Sequence, residues 1–391
     1  MTKNKSEKKK SQWSTVILVM GGSAIIGLTI GFVAGVFLET DAIELNLSLL
    51  FIGFIAFFIS YLIHILLHEM GHLVFGLMTG YAYVSFRIGS LTLVKEEGSI
   101  QQKRMNLPGT GGQCLMSPPA YNEGDFPFVL YNLGGVLMNA VLSIALFGLI
   151  FNGVFSPPIL MTILSAFALA GLFTAATNGI PMKMGGIPND GYNLYLLLKN
   201  QENKYAFYTQ LKINALMTQG KRVKDIPLTT LQLEGEKDYS NPLKVAMYLL
   251  EYNWYIDQLK FEEARLCLTA FDPYIEEMSV LYKNELTCER LFLELIQDAD
   301  PFVVKKFYTK ELQKYIKMTT YLPNKKRLMM AYEAFHQRNY PKAMEYYNEL
   351  QKTATIYPVK GESAMERILG EWIKEKMSFL TMADEKKEYD S

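Results

Sequence analysis

Four long apolar runs dominate the first half of the chain. From Thr15 to Leu38 no ionisable side chain occurs, and at about 1.5 Å per residue a helix of that length covers a hydrocarbon layer of roughly 30 Å. The run is too long for the core of a typical signal peptide and lacks a small-x-small cleavage site before Glu39, so it predicts a retained span. A second run extends from about Leu45 to Thr79, interrupted only by His64, His68, Glu69 and His72. A third runs from Phe126 to Phe151 and a fourth from Pro158 to about Asn178. Between the second and third, YAYVSFRIGSLTLV (Tyr81 to Val94) alternates bulky and smaller residues and is rich in β-formers, which predicts two short strands joined near Gly89 and Ser90. The PGTGG run from Pro108 to Gly112 and the later SPPAYNEGDFP read as a flexible loop leading back to the membrane.

After Tyr192 the pattern changes to charged, aromatic segments of helical period. AMYLLEYNWYIDQLKFEEARLCLTAF and LMMAYEAFHQRNYPKAMEYYNEL share one plan: an apolar helix, a short turn, then an aromatic residue opening the next helix. Phe261 and Tyr340 open those second helices 79 residues apart, and a fainter unit lies between them at Pro301 to Tyr315. Degenerate tetratricopeptide-type helix pairs fit this spacing, and a plain helical bundle covering the membrane domain is the alternative.

Charge sharpens the division. Residues 1–200 carry 11 basic and 10 acidic side chains and residues 201–391 carry 28 and 29, so the halves suit different solvents. The expected organisation is a basic N-terminus at 1–14, a first span at 15–38, a membrane-embedded core at 45–200 and a soluble helical domain at 201–391. The fold class is mainly α: a four-span polytopic membrane domain with a short cytosolic-side β hairpin, followed by an all-α, helical-repeat-like domain. A formal charge of zero, without a basic block beyond the N-terminus, argues against nucleic-acid binding. Cys114, Cys267 and Cys288 lie far apart with no CxxC pair, which excludes a disulfide scaffold or a thiolate zinc site within this chain and fits a reducing compartment for the second half.

Lys and Arg in short loops set orientation, because they resist translocation. Lys3, Lys5, Lys8, Lys9 and Lys10 precede the first span; Arg87, Lys95, Lys103 and Arg104 lie between the second and third; Lys183 and Lys199 follow the fourth. The loops 39–44 and 152–157 carry no basic residue. These counts predict a multi-pass protein of the cell membrane with both termini in the cytosol.

His64, His68 and His72 are spaced by four on one apolar helix and so form a single stripe. His68-Glu69-Met70-Gly71-His72 is an HExxH sequence. An i, i+4 imidazole pair can bind one zinc ion, and the intervening glutamate is placed to take a proton from a water whose pKa the metal lowers to about 7. Peptide-bond hydrolysis is the reaction these parts suit. HExxH also arises by chance in soluble helices, but a glutamate within a run of Leu, Ile and Phe costs several kcal/mol unless it has partners, on the order given for ionisable groups in lipid. His64, one turn deeper, is a third ligand, a donor behind the ligands or a packed core histidine; His336 is a surface or packing residue. Asp190 precedes GYNLYLLLK, where an aspartate suits a helix N-cap, but no other acidic residue follows the fourth span closely enough to serve as a ligand, which favours the ligand reading. Asn139 and Asn178 sit inside or at the ends of spans, where small and amide residues commonly join helices.

LLHEMGHLVFGLMTG (Leu66 to Gly80), LGGVLMNAVL with Gly134, Gly135 and Asn139, and NGIPMKMGGIPNDG with Asn178, Pro181, Asp190 and Gly191 together resemble the site-2 protease family of intramembrane zinc metalloproteases. The resemblance covers about residues 48–198. It implies zinc held by His68, His72 and Asp190, with Glu69 as general base and Asn139 hydrogen-bonding the unwound substrate or the developing oxyanion. It also places a membrane-associated β element at residues 81–94, whose edge can hold an extended substrate by main-chain hydrogen bonds, although the residues fit a simple hairpin packed on the interface equally well. One departure stands out: the family usually has about five residues from proline to aspartate, whereas Pro181 and Asp190 are nine apart, with Gly185, Gly186 and Pro188 between them.

The expected partners are the lipid bilayer, a membrane-embedded peptide or protein substrate cut near the cytosolic face, and a cytosolic regulator bound by the helical domain. The alternative is a non-catalytic membrane adaptor with a structural metal site. A transporter is disfavoured by four spans without internal duplication.

Overall fold

A computed structural model describes residues 47–105, 110–184, 186–235, 237–276 and 278–389 of the chain. The basic N-terminus and the first expected span lie outside the described residues. The other three expected spans are helices: α1 (Leu47–Met78), α2 (Phe128–Phe151) and α3 (Pro158–Gly179). All three are long and apolar enough to cross a membrane. Unlike a globular surface helix, α1 leaves large apolar side chains such as Phe51, Phe54, Phe58 and Leu62 exposed.

The chain divides into two compact units. Residues 47–63 and 140–173 form one, in which Phe173 packs on Phe57 and Tyr61 with ring centroids 6.1 and 6.2 Å away. Residues 64–139 and 174–389 belong to the other, which contains all the candidate site residues.

In the second unit, β1 (Ala82–Ile88) and β2 (Leu91–Glu96) form the expected hairpin, turning at Gly89, whose φ is +55°. The hairpin is half of a larger sheet. β3 (Ser99–Arg104) and β4 (Gly112–Ser117) complete an antiparallel sheet of order β3-β2-β1-β4. Strand β3, SIQQKR, carries no apolar alternation because it is a mostly exposed edge, and its charged end is the kind of device that blunts an edge against pairing. Part of the expected return loop is therefore strand: Gly112 starts β4, which buries Cys114 and Met116 on one face.

A short hairpin, β5 (Lys183–Met184) with β6 (Ile187–Pro188), leads into α4 (Asp190–Lys199) and α5 (Gln201–Thr218). Asn200 breaks α4 from α5 by turning extended and capping Asn203 N–H at 2.8 Å. The remainder is helical: α6 (Leu228–Leu231), α7 (Pro242–Ile256), α8 (Phe261–Thr269), α9 (Val280–Leu295), α10 (Pro301–Phe307), α11 (Lys310–Met318), α12 (Pro323–Ala331), a π turn at Tyr332–His336, α13 (Tyr340–Ile356) and α14 (Lys360–Tyr389). The second helices open at Phe261, Pro301 and Tyr340, where the aromatic and proline signals lie. Two residues before each opening stands a non-glycine residue of positive φ, Leu259, Ala299 and Arg338, spaced 40 and 39 residues apart. Three of the helix-turn-helix connections thus place a left-handed residue at the same point, although their side chains differ. This region touches the sheet: α5 packs on β4, and Lys360 pairs with Glu96 at 2.9 Å.

The helical region encloses a charged network. Arg327 donates to Glu366 at 2.7 Å and to both oxygens of Glu289, while Lys325 pairs with Glu285 at 2.7 Å. Burial first and Glu366 second push the Glu362 carboxyl up to about 7. An unfolded glutamate titrates near about 4.3, so the folded state holds a proton that the unfolded chain has released. The stabilising contribution is complete below about pH 4 and is lost as pH rises through about 7, with a slope of at most about 1.4 kcal/mol per unit. Thermal melts of the Glu362→Gln variant followed by far-UV circular dichroism are expected to lose this slope and to exceed the wild type in stability at pH 8.

Candidate metal centre

The membrane-like helix α1 brings its polar side chains together on the stripe that the spacing of four dictates, and His64, His68, Glu69 and His72 are all buried. Helix α2 crosses this stretch at glycines. A Cβ on Gly134 would lie 2.6 Å from the Gly71 carbonyl oxygen, and one on Gly71 would lie 2.8 Å from the Gly135 Cα. Close backbone approach of this kind is open only to small residues. Gly135 faces the His68 ring itself, where a Cβ would come within 2.6 Å of Cγ and closer still to Nδ1. The Gly135→Ala substitution is therefore expected to displace His68 and lower metal affinity by about 10- to 100-fold, the range for groups that orient ligands. Competition against a chromophoric chelator measures this.

His72 is oriented from α2 as well. Its Nδ1 donates to the Tyr131 carbonyl at 2.7 Å, leaving Nε2 as the lone-pair nitrogen of the neutral ring. Tyr131 in turn donates its hydroxyl to the Cys114 carbonyl at 2.9 Å, which joins α2 to β4.

The acidic member arrives from α4. Asp190 is the first residue of that helix, and the N-cap is Asn189, whose Oδ1 accepts from Tyr192 N–H at 2.9 Å. The cap role weighed for Asp190 as the lesser alternative thus falls to its neighbour, and the Asp190 carboxylate faces the histidines. Asn189 also accepts from Met182 N–H at 3.1 Å and donates to the carbonyls of Thr177 and Ile180, both at 2.7 Å. One side chain thereby ties the end of α3, the hairpin and the start of α4. At Gly191 the backbone passes so close to α3 that a Cβ would lie 2.7 Å from the Gly179 carbonyl carbon.

The result is a triangle of donor atoms. Asp190 Oδ2 stands 2.9 Å from His68 Nε2 and 3.3 Å from His72 Nε2, and the two Nε2 atoms are 3.1 Å apart. Ligands at about 2.0 to 2.1 Å from a tetrahedral zinc ion are separated by about 3.3 Å, so these spacings fit one small cation. His68, His72 and Asp190 could hold a metal ion. Burial opposes the charge on Asp190, but His72 and His68 hold its carboxyl below the usual carboxylate range.

Glu69 lies beside the start of β4, where a Cβ on Gly112 would sit 2.6 Å from Glu69 Cγ and 2.7 Å from Oε1. Glycine at 112 is what admits the glutamate. Arg87 on β1, 1% exposed, pins the same segment by donating to the Gly89 carbonyl at 2.7 Å, the Gly112 carbonyl at 3.1 Å and the Thr110 hydroxyl.

The other candidates fall elsewhere. Asn139 is fully buried and paired with His64: its Oδ1 faces His64 Nδ1 at 3.0 Å and its Nδ2 donates to the His64 carbonyl at 3.2 Å. His64 is thus outside the donor triangle, one turn behind it. Asn178 donates to Thr174 of its own helix at 2.9 Å. Lys183 lies over the Tyr192 ring, and His336 packs against Tyr332. The sequence passes over Tyr131 and Asn189, and Arg87 and Gly112 stand out there only as an orientation marker and a loop residue. Only Asn189, in the Asn-Asp-Gly run, carried a local signal, that of a capping amide. No family model, curated protein or solved structure matches this chain.

Proposed function

We propose that this protein is an intramembrane metalloprotease of the site-2 protease type, hydrolysing a peptide bond in a membrane-embedded protein or peptide near the cytosolic face. The convergence of His68, His72 and Asp190 from two separate segments, with Glu69 alongside, carries the reading. Two imidazoles and a carboxylate are the donor set of hydrolytic zinc sites. Zinc bound there supplies Lewis acidity toward water and the scissile carbonyl. Glu69, one residue from His68 and buried beside Gly112, takes the proton from the attacking water and returns it to the leaving nitrogen. Tyr131 and Asn189 keep the ligands aimed. Asn139 stands one turn away, holding His64; a direct contact with the substrate carbonyl requires it to give up that pair.

The positions of Lys and Arg favour a sheet and helical region on the cytosolic side. The substrate reaches the site as an extended strand, a form the sheet next to Glu69 can accept by main-chain pairing. The three helix pairs, each with a left-handed residue two positions before its second helix, support a tetratricopeptide-like stack that receives a cytosolic regulator. The decisive experiment compares the membrane-embedded peptides of cells expressing the wild type with those of cells expressing Glu69→Gln. Intact precursors that accumulate only with the variant identify substrates. Identical peptide profiles would remove the protease assignment.

A further inference from the structure

We infer that the helical region holds the third donor of this centre in place through the β5-β6 hairpin, making Gly186 and Ser279 positioning residues for Asp190. The inference rests on the proposed metal site and adds to it a route by which the state of the helical region sets metal affinity.

The hairpin is the extra length between Pro181 and Asp190. Lys183 pairs with Pro188 and Met184 with Ile187, so this stretch doubles back instead of running straight to the aspartate. Its base is closed by Asn189, which binds Met182, Thr177 and Ile180 and begins α4 one residue before Asp190. The arm is thus folded on itself from the end of α3 to the donor carboxylate.

The turn end of the arm rests on the helical region. Gly186, with φ of +86°, lies against Ser279: a Cβ there would stand 2.9 Å from Ser279 Cα and nearer still to its Cβ. Ser279 is itself fixed, being the N-cap of α9, with its Oγ accepting from Tyr282 N–H at 3.3 Å. A second contact comes from Lys183, whose Nζ donates to the Ser240 carbonyl at 3.4 Å, just before α7, and lies 4.9 Å from the Tyr192 ring centroid. Two points of the helical region, Ser240 and Ser279, therefore meet the arm that ends in Asp190. His68 and His72 are carried by α1, and only the aspartate arrives by this arm. Fixing the arm lowers the freedom that Asp190 loses on coordination, and linkage makes the coupling reciprocal: metal binding must favour the docked hairpin as much as docking favours the metal.

The test uses the full chain in detergent with zinc alone. Zinc affinity is measured by chelator competition for the wild type, Gly186→Val and Gly98→Val. Gly98 has a φ of +84°, and a Cβ added there would meet nothing within 4 Å, so it reports backbone strain without contact. Gly186→Val is expected to weaken binding about 10-fold and Gly98→Val to leave it unchanged. Amide exchange over Val280–Lys283 is followed in parallel and is independent of any folding defect at Gly186. It is expected to slow when zinc is added to the wild type and not when it is added to Asp190→Asn. Stoichiometric zinc binding with Gly186→Val inside twofold of the wild type, or with exchange at α9 indifferent to zinc, overturns the coupling and leaves the metal site standing. Absence of zinc binding by the wild type overturns both.

Discussion

Replacing Glu69 by Gln is expected to leave one metal ion bound per chain and to slow peptide-bond hydrolysis by about 10²- to 10⁴-fold, the usual contribution of a positioned general base. The substitution is nearly isosteric, so the packing against Gly112, where the space beside Oε1 admits no Cβ, is kept. What changes is that an amide cannot take a proton from water. The measurement is metal content of the purified variant together with cleavage of precursors found in the accumulation experiment. Loss of metal along with activity would point to a structural part for Glu69, and retained activity would remove it from the reaction.

The second large effect is expected at Asp190. The Asp190→Asn variant keeps the shape of the residue and the cap supplied by Asn189, but it replaces an anionic donor with a weak neutral one. Zinc affinity is expected to fall by more than about 100-fold, beyond the range seen when groups that merely orient ligands are removed. A His72→Ala variant should fall at least as far, because it removes one Nε2 donor and leaves the Tyr131 carbonyl without its partner. Chelator competition read alongside the melting temperature separates loss of the ligand from loss of the fold. Affinity unchanged in Asp190→Asn would exclude the aspartate as a ligand.

The two substitutions differ in how far their targets could be read in advance. Glu69 sits in an HExxH stretch, and its place follows from helix periodicity alone. Asp190 was readable as either a ligand or an N-cap. The cap is Asn189, whose amide faces four backbone groups, from Thr177, Ile180, Met182 and Tyr192. The same limit applies to β3 and β4. Alternation revealed β1 and β2 because one face of each is buried, whereas β3 is a polar edge and β4 begins in a glycine-rich stretch that resembles a loop.

Local chemistry along the chain by itself determined where apolar helices form, where the charged helical region begins, and that His64, His68 and His72 share one helix face, since each depends on residues within a few turns of one another. Tertiary structure alone decided that Asp190 meets the imidazoles, that Arg87 and Gly112 shape the ground beside Glu69, and that three unlike turns each carry a left-handed residue at the same point. These features join segments up to about 120 residues apart, and the deciding quantities, a glycine's missing Cβ or the direction of an amide, have no counterpart in hydrophobic pattern.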